Sequence, residues 1–332
     1  MPSAAPDDAL VARFLADRDA LLAAAGLPPG ARLGIALSGG PDSVALLLLA
    51  IAAAGPVAAM TVDHGLRPEA AAEAQAAGGI ATALGVPHVV ARVTVAPAGE
   101  GMQGEARRAR YSALADWAKA ESLAGVMTAH HADDQAETVL MRLARGAGLS
   151  GLGGIRPHRP IDESDPAGPM LLRPLLGWRK AELEAIVIAA GIEPARDPSN
   201  HDNRFDRTAA RALLGQAPWL DPLRIAASAN HLRDADEALT VLTERFLANA
   251  LTVNDQDLVL NPSHASRDIV RRALIALFSK HFGFRPDGPG LARLMATLEA
   301  GGTATLGDVL ARGGAVWHFS PAPPRRQSPS SS

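Results

Sequence analysis

The stretch LGIALSGGPDSVALLLLA, residues 33–50, decides the fold, because it joins a short β-type run to a long helical run through two glycines. The aliphatic run Leu33–Leu37 is followed directly by Ser38, Gly39 and Gly40. Glycines at a strand end permit positive φ angles and let backbone N–H groups approach a charged oxygen closely. The positive end of the next helix points at the same place. The turn therefore predicts a phosphate site.

Two common phosphate motifs do not fit this turn. A Walker A loop requires G-x-x-x-x-G-K-[ST], whereas the first lysine of this chain is Lys119, and the Rossmann fingerprint requires G-x-G-x-x-G. Asp42 is an unusual residue beside an anion unless a divalent cation links it to the phosphates, so we predict Mg²⁺ at Asp42. The alternative is that Ser38 and Asp42 only cap a helix over a tight turn.

Short β-type runs alternate with longer helical runs through the first half of the chain. The strands are β-branched or aliphatic, and the helices are rich in Ala and Leu. This alternation predicts an α/β fold, a doubly wound, Rossmann-like parallel sheet with its ligand site at the carboxyl ends of the strands. The predicted strands are Leu33–Leu37, Val57–Val62, His88–Val93 and Gly125–Ala129, and the predicted helices lie near Ser43–Ala54, Glu69–Leu84, Glu105–Glu121 and Asp133–Ala144.

The length of 332 residues predicts two domains. We expect residues 1–215 to form the catalytic domain, with a linker region of loops from about residue 146, where Gly and Pro are too frequent for regular structure. Residues 216–320 should form a smaller, mainly helical C-terminal domain that ends in one hairpin or small sheet. Residues 321–332 should be a disordered tail of low complexity. The later predicted helices are Arg179–Ala190, Leu223–Ala248 and Ser266–Phe282.

Composition excludes several classes of function. The net charge of −3 carries no global sign of nucleic-acid binding, so a nucleic-acid partner must be held by local patches. The chain has no cysteine, which excludes disulfides, cysteinyl metal sites and thiol nucleophiles. The first residues do not form a signal peptide, and the longest apolar run is interrupted by Gly55 and Pro56. We therefore expect a cytoplasmic protein with no membrane partner.

The stretch HHADDQAET, residues 130–138, predicts an acidic cluster. If a helix starts just after the paired histidines, Asp133 and Asp134 lie within one turn of Glu137 on one face. Three close carboxylates repel one another unless a cation joins them, and either Mg²⁺ or a substrate ammonium would serve. The alternative is a solvated helix start with an aspartate N-cap. The histidines lack other His or Cys residues at ligand spacing, so we expect them to form hydrogen bonds.

Basic residues concentrate on two predicted helices. The first of these helices opens with Arg107, Arg108, Arg110 and Tyr111. Helical spacing spreads the three arginines around the axis, so all three cannot serve one site. Arg142 and Arg145, on the later helix, either extend this basic surface or form surface salt bridges.

The turn SGGPDS, residues 38–43, resembles the PP-loop of the N-type ATP pyrophosphatases, which cleave ATP between the α- and β-phosphates. The lack of cysteine argues against the tRNA thiolases and the glutamine-dependent synthetases of that group. Three further stretches are similar, in order and spacing, to motifs of the tRNA(Ile)-lysidine synthetase family. They are TVDHGLRPEA at 61–70, GEARRARYSAL at 104–114 and MTAHHADDQAETVLMRLARG at 127–146.

This resemblance implies a reaction and a set of site residues. ATP would adenylate the C2 carbonyl oxygen of the first anticodon cytidine in an isoleucine tRNA with a CAU anticodon, and free lysine would displace AMP. It also implies that the C-terminal domain binds tRNA. The implied ATP-binding residues are Ser38, Gly39, Gly40, Pro41, Asp42, Ser43, Asp63 and His64. The implied catalytic residues are Asp42, which also binds the metal, Asp133, Asp134 and Glu137. The implied tRNA or substrate contacts are Arg107, Arg110, Tyr111, His130, Arg145, Arg173, Asn200 and Arg207, with Arg211 as a further candidate.

Two alternatives stay open at this point. One is another PP-loop synthetase that forms an amide or amidine on a small molecule and needs no RNA. The other is a nucleotide-binding module without catalysis, and the acidic cluster together with Asp42 argues against it. The sequence does not distinguish a homodimer from a monomer.

Overall fold

The computed structural model describes residues 5–55, 57–63, 65, 69–93, 101–194, 206–254 and 257–323. The chain divides into two compact units, Met1–Arg233 and Asp234–Ser332. The helices are α1 Asp8–Ala24, α2 Pro41–Ala52, α3 Glu69–Ala83, α4 Gly101–Ala120, α5 Ala132–Ala144, α6 Leu149–Leu152, α7 Lys180–Ala189, α8 Asp206–Gln216, α9 Pro222–Ala250, α10 Arg267–Phe282 and α11 Gly288–Glu299. The strands are β1 Leu33–Ala36, β2 Val57–Asp63, β3 His88–Arg92, β4 Gly125–Met127, β5 His158–Pro160, β6 Met170–Leu172, β7 Leu251–Asn254, β8 Asp257–Leu260, β9 Thr303–Leu306, β10 Val309–Arg312 and β11 Trp317–Pro321. Within those described segments, no helix is both long and apolar enough to cross a membrane.

The first unit is built on one sheet with the strand order β3-β2-β1-β4-β6-β5. Its first five strands in that order pair in parallel, and β5 pairs antiparallel with β6 at the edge. The chain moves outward from β1 to β3 and then returns to the other side of β1 with β4. Ligands bind at such a switch point in doubly wound sheets, so the fold places the candidate site beyond the carboxyl ends of β1 and β4.

Both faces of this sheet are covered, which confirms the predicted doubly wound α/β fold. Strand β2 alternates between the two cores: Ala59 packs in the core that contains α2, whereas Met60 packs in the core that contains Trp117 of α4. Helix α2 contacts both α1 and α7 as well as β1. Because it is enclosed on several sides, its residues 43–50 are all buried, and this explains its uninterrupted apolar sequence.

The predicted linker of loops from about residue 146 is wrong in part. Helix α6 and strand β5 lie within it, and β6 begins at its end. Both strands are three residues long and, unlike the equally short β4, contain no β-branched residue, so the local sequence did not indicate a strand. These residues form strands because they pair with neighbouring strands. Gly125 of β4 lies opposite Met170 of β6, and His158 of β5 lies opposite Leu172 of β6. The tertiary partner therefore decides the structure of this segment.

The second unit contains an antiparallel sheet in the order β7-β8-β11-β10-β9. Strands β9 to β11 confirm the predicted small sheet, whereas β7 and β8 add two strands that the sequence analysis missed, each only four residues long. Phe278 of α10 is central to the core, with its ring centroid 5.9 Å from that of Phe319 on β11. Side chains of α10, α11 and this sheet together form one apolar core.

Gly34 of β1 allows a close approach that any side chain would block. A Cβ atom at this position would lie 2.5 Å from a ring atom of Trp117 and 2.8 Å from Leu123. We expect Gly34→Ala to lower the free energy of unfolding by about 1–3 kcal/mol, the usual cost of overpacking. Denaturant unfolding measures this change. Gly79→Ala is the matched control, because a Cβ on this residue of α3 meets nothing within 4 Å and should stabilise the helix. Equal midpoints for the two variants would contradict the prediction.

Candidate active site

The loop after β1 is held together by two hydroxyl groups. Gly39 has a φ of +82°, and α2 begins at Pro41 with Gly40 as its N-cap. The hydroxyl of Ser43 donates to the Gly40 carbonyl at 3.0 Å and lies 3.1 Å from the Ser38 hydroxyl. These bonds fix the loop from within, so the first turn of α2 presents its backbone N–H groups at the carboxyl end of β1.

The carboxylate of Asp42 is not used as a helix cap. No side chain caps α2 at Gly40, so the structure does not support the capping alternative. The Oδ1 atom of Asp42 is buried and has no hydrogen-bond partner among the described residues, while Oδ2 lies 3.7 Å from Nε2 of His131. A buried carboxylate oxygen without a donor is costly. Asp42 therefore offers an open acceptor beside the helix N-terminus, where a cation that also contacts phosphate would fit.

His131 occupies the centre of the acidic cluster. It is the N-cap of α5 and forms a capping box with Asp134: each backbone N–H of the pair donates to the side chain of the other. Its ring nitrogens lie 3.5–3.7 Å from carboxylate oxygens of Asp42, Asp133 and Asp134. Burial lowers the pKa of His131, but the hydrogen bond with Asp42 and the three carboxylates together raise it above its ordinary value. The three carboxylates thus favour the protonated ring, in which Nδ1 would no longer accept from the Asp134 N–H.

Asp133 is held by Arg179 and by a backbone N–H at the start of α7. Asp133 accepts from the Arg179 guanidinium at 3.2 and 3.3 Å and from the backbone N–H of Lys180 at 2.8 Å. Burial raises the pKa of Asp133, but these donors lower it by more, so the net pKa lies below its ordinary value. Asp133 is thus fixed to the start of α7.

Glu137 is held in a different way, by helix α8. Only 2% of Glu137 is exposed. Nε of Arg211 donates to its Oε1 at 2.6 Å, and Nε of Arg207 lies 3.0 Å from Oε2 as an ion pair. The hydrogen bond to Glu137 raises the pKa of Arg211. The three acidic side chains therefore share a helix turn but face different cations.

A basic pocket lies around Tyr111. The guanidinium carbons of Arg107 and Arg159 lie 4.9 and 4.7 Å from the centroid of its ring, and Arg173 hydrogen-bonds to its hydroxyl group. Burial raises the pKa of Tyr111, but these arginines lower it by more. Nε of the buried Arg173 has no hydrogen-bond partner among the described residues. This pocket thus holds an unpaired N–H donor and two guanidinium groups over the Tyr111 ring.

His130 lies between the acidic cluster and the basic pocket. Its Nδ1 is 3.0 Å from the Thr128 hydroxyl, as expected for a hydrogen-bonded histidine. Burial, followed by Arg173, Arg107 and Arg207, lowers its pKa well below the ordinary value. His130 is therefore neutral at pH 7, whereas a pKa above the ordinary value favours the charged form of His131. The adjacent histidines differ because one faces arginines and the other faces carboxylates.

The other predicted residues are more dispersed. Asp63 is buried at the end of β2, where it accepts from the Gly65 N–H at 2.9 Å and from Arg92 at 3.3 Å. Arg108 pairs with Glu105, whereas Arg107 on the same turn faces Tyr111. Arg110 lies beside Tyr111 on α4. Arg145 is at the far end of α5, about 20 Å along the axis from its first residue. His64 and Asn200 lie outside the described residues.

Sequence reasoning missed three contributors to the site. His131 was expected only to form hydrogen bonds, and its place among three carboxylates depends on the pairing of β1 with β4. Arg179 is the first residue of a predicted helix, but nothing in its local sequence indicates a contact with Asp133. Arg159 lies on β5, which was assigned to a loop. The contacts of His131 with Asp42, of Arg179 with Asp133 and of Arg159 with Tyr111 are long-range, so only the fold could reveal them.

Comparisons with known proteins agree with this geometry. The PP-loop domain family matches residues 14–217, the segment that carries every site residue above. The chain is similar over 68% of its length to the solved U34-tRNA thiolase NcsA of Methanococcus maripaludis with its [4Fe-4S] cluster, covering 80% of that chain with a TM-score of 0.55 and 15% identity. That likeness concerns the fold alone. The fold and the loop after β1 define a PP-loop, ATP-using protein.

Curated relatives narrow the class. The tRNA(Ile)-lysidine synthase of Zymomonas mobilis is 42% identical over 91% of this chain and 92% of its own length. The tRNA(Ile)-lysidine synthase of Novosphingobium aromaticivorans is 46% identical over 95% of this chain and 94% of its own length. The chain belongs to the tRNA(Ile)-lysidine synthase family, which confirms the resemblance first seen in four short motifs.

Proposed function

We propose that this protein is an ATP-dependent ligase that joins free lysine to C2 of the first anticodon cytidine of an isoleucine tRNA with a CAU anticodon. The products are lysidine, AMP and pyrophosphate. The observation that carries the proposal is the open, buried Oδ1 of Asp42 beside the N-terminus of α2. The site has an acidic side suited to an amine and a basic side suited to RNA.

The first step activates the cytidine. Its C2 oxygen attacks the α-phosphorus of ATP, the bond to the β-phosphate side breaks, and pyrophosphate leaves. The backbone of residues 38–43 would hold the leaving phosphates, with Asp63 and His64 as further ATP contacts. The open oxygen of Asp42 fits Mg²⁺, which is commonly bound by one or two carboxylates together with phosphates and would, when bound, neutralise developing charge. Asp42 is the residue that would hold this ion.

The second step delivers lysine. Its amine attacks C2, AMP leaves with the C2 oxygen, and the amine loses a proton. Asp134 and Glu137 are the carboxylates we assign to the ammonium group and to this proton. Asp133 shares this role: Arg179 and the Lys180 N–H hold it, just as Arg211 and Arg207 hold Glu137.

Cytidine recognition belongs to the basic pocket. An anticodon base must leave its stack to reach the cleft, and arginine and aromatic groups bind such bases by stacking and hydrogen bonds. Arg107, Arg173 and Tyr111 provide these groups, and neutral His130 can donate or accept one hydrogen bond without adding charge. Arg110, Arg145, Asn200 and Arg207 are proposed as further tRNA contacts.

We assign the wider organisation as follows. Residues 1–215 would carry the catalytic activity, and residues 216–320 would bind tRNA. The protein acts in the cytoplasm, where tRNA, ATP and free lysine meet, and needs no membrane partner. Sedimentation of the purified chain decides between a homodimer and a monomer.

Lysine incorporation tests the function directly. Purified protein, Mg-ATP and radiolabelled lysine are mixed with isoleucine tRNA carrying a CAU anticodon or with methionine tRNA. Label should enter the isoleucine tRNA alone. Pyrophosphate release with a small-molecule acceptor and no label in tRNA would instead support the other PP-loop synthetase and refute lysidine formation.

A further inference from the structure

Trp219 differs from the other three tryptophans of the chain. Its side chain lies in the connection between α8 and α9 and is 79% exposed, whereas Trp117, Trp178 and Trp317 are at most 7% exposed. Leaving so large an apolar ring in water forgoes the gain from its burial. Packing of the described residues therefore does not account for a tryptophan at this position.

The connection that carries Trp219 is joined to the candidate active site. Asp221, two residues further on, caps α9 by accepting from the Leu223 N–H at 2.8 Å, and its carboxylate lies 3.7 Å from Arg179. Arg179 in turn binds Asp133 of the acidic cluster. Two residues span at most about 7 Å, so the backbone of Trp219 lies close to Asp221, which links it to Arg179 and the acidic cluster.

The surroundings of Trp219 suit a single-stranded nucleic acid. Arg224 is exposed in the first turn of α9, where a cation opposes the helix dipole and therefore adds nothing to helix stability. Leu223, four residues after Trp219, is also exposed. An exposed aromatic ring near an arginine is the combination by which proteins hold unpaired bases, through stacking on the ring and attraction to the phosphate.

We infer that Trp219 stacks on an unpaired base of the bound tRNA, next to the base that enters the site, with Arg224 near the adjoining phosphate. This inference rests on the proposed function. Its role is positioning: the ring contacts RNA but none of the reacting atoms. Trp219 would therefore affect how tightly tRNA binds and not how fast the bound complex reacts.

Kinetics with three variants tests the inference. Trp219→Ala should raise KM for tRNA about tenfold, the order of one base–aromatic stack, while kcat and the KM values for ATP and lysine stay unchanged. Trp219→Phe should keep most of the affinity because it keeps a ring. Ile188→Ala is the matched control, since Ile188 is 76% exposed on α7 and should change nothing.

Fluorescence gives a second readout that does not depend on turnover. Acrylamide should quench mainly Trp219, because the other three indoles are buried. Isoleucine tRNA should protect the wild-type protein from this quenching, and Trp219→Phe should lose both the quenchable signal and the protection. A KM for tRNA that is unchanged in Trp219→Ala, or tRNA that gives no protection, would overturn the inference.

A protein contact at Trp219 predicts a different result. In that case Trp219→Ala would change the sedimentation of the protein while leaving KM for tRNA unchanged, and the RNA inference would be overturned. Failure of the proposed function is separable from both outcomes, because the wild-type protein would then incorporate no lysine. If the wild-type protein incorporates lysine and Trp219→Ala leaves KM for tRNA unchanged, only the stacking role is refuted.

Discussion

Asp42→Asn should lower lysine incorporation by about 10³-fold, the range expected when a group that stabilises developing charge is removed. The amide keeps the size of the side chain but loses the negative charge that we assign to cation binding. Because Asp42 lies in the first turn of α2 and not in the basic pocket around Tyr111, the loss should fall on adenylation. Pyrophosphate release in the presence of tRNA and absence of lysine measures this step.

The same variant should remain fully folded. Oδ1 of Asp42 is buried without a partner, so removal of its charge relieves a desolvation cost that offsets the lost interaction with His131, and the free energy of unfolding should change little. The hydrogen bond with Asp42 helps to raise the pKa of His131; the variant should therefore lower that pKa, as followed by NMR titration. Asp19→Asn, a change at an exposed aspartate, is the control. Full pyrophosphate release by Asp42→Asn would contradict the assigned role.

The sequence predicted the parallel strands β1 to β4 and their helices because residues adjacent in the chain indicate each of these elements. An aliphatic strand, a glycine turn and an apolar helix are adjacent in residues 33–50, and the strands from β1 to β4 each carry enough β-branched residues to be recognised. The short β5 and β6 carry no such local signal. They form because β6 pairs with the free edge of β4, and β5 then pairs with β6.

The candidate site was predictable to a similar extent. Residues that follow strand ends, such as Ser38 and Asp133, could be placed at one edge of the sheet from pattern alone. Their partners could not, because charge pairing depends on which helices meet after folding. Glu137 illustrates this: the sequence predicted a cation beside it, and the structure places Arg207 and Arg211 of α8 there.

Glu137→Gln should separate the two chemical steps. We expect kcat/KM for lysine to fall about 10²-fold, the usual scale for loss of a positioned acid–base group, while adenylated tRNA still forms. Transfer of the α-phosphate label of ATP to tRNA measures the first step, and lysine incorporation measures the second. Accumulation of labelled adenylate would place Glu137 in the lysine step, in contrast to Asp42→Asn, which should form none.

Stability distinguishes this role from a purely structural one. Removal of one partner of a buried ion pair costs about 3–5 kcal/mol, but Arg207 and Arg211 are 32% and 49% exposed, so water screens them and the loss should be nearer 1–2 kcal/mol. Glu299→Gln, which breaks the exposed pair with Arg267, should cost less than about 1 kcal/mol. If Glu137→Gln lost stability while kcat/KM for lysine remained at the wild-type value, its carboxylate would serve only to hold α8 against α5. A loss of lysine incorporation in the folded variant, with adenylation intact, would instead support a role of Glu137 in the lysine step.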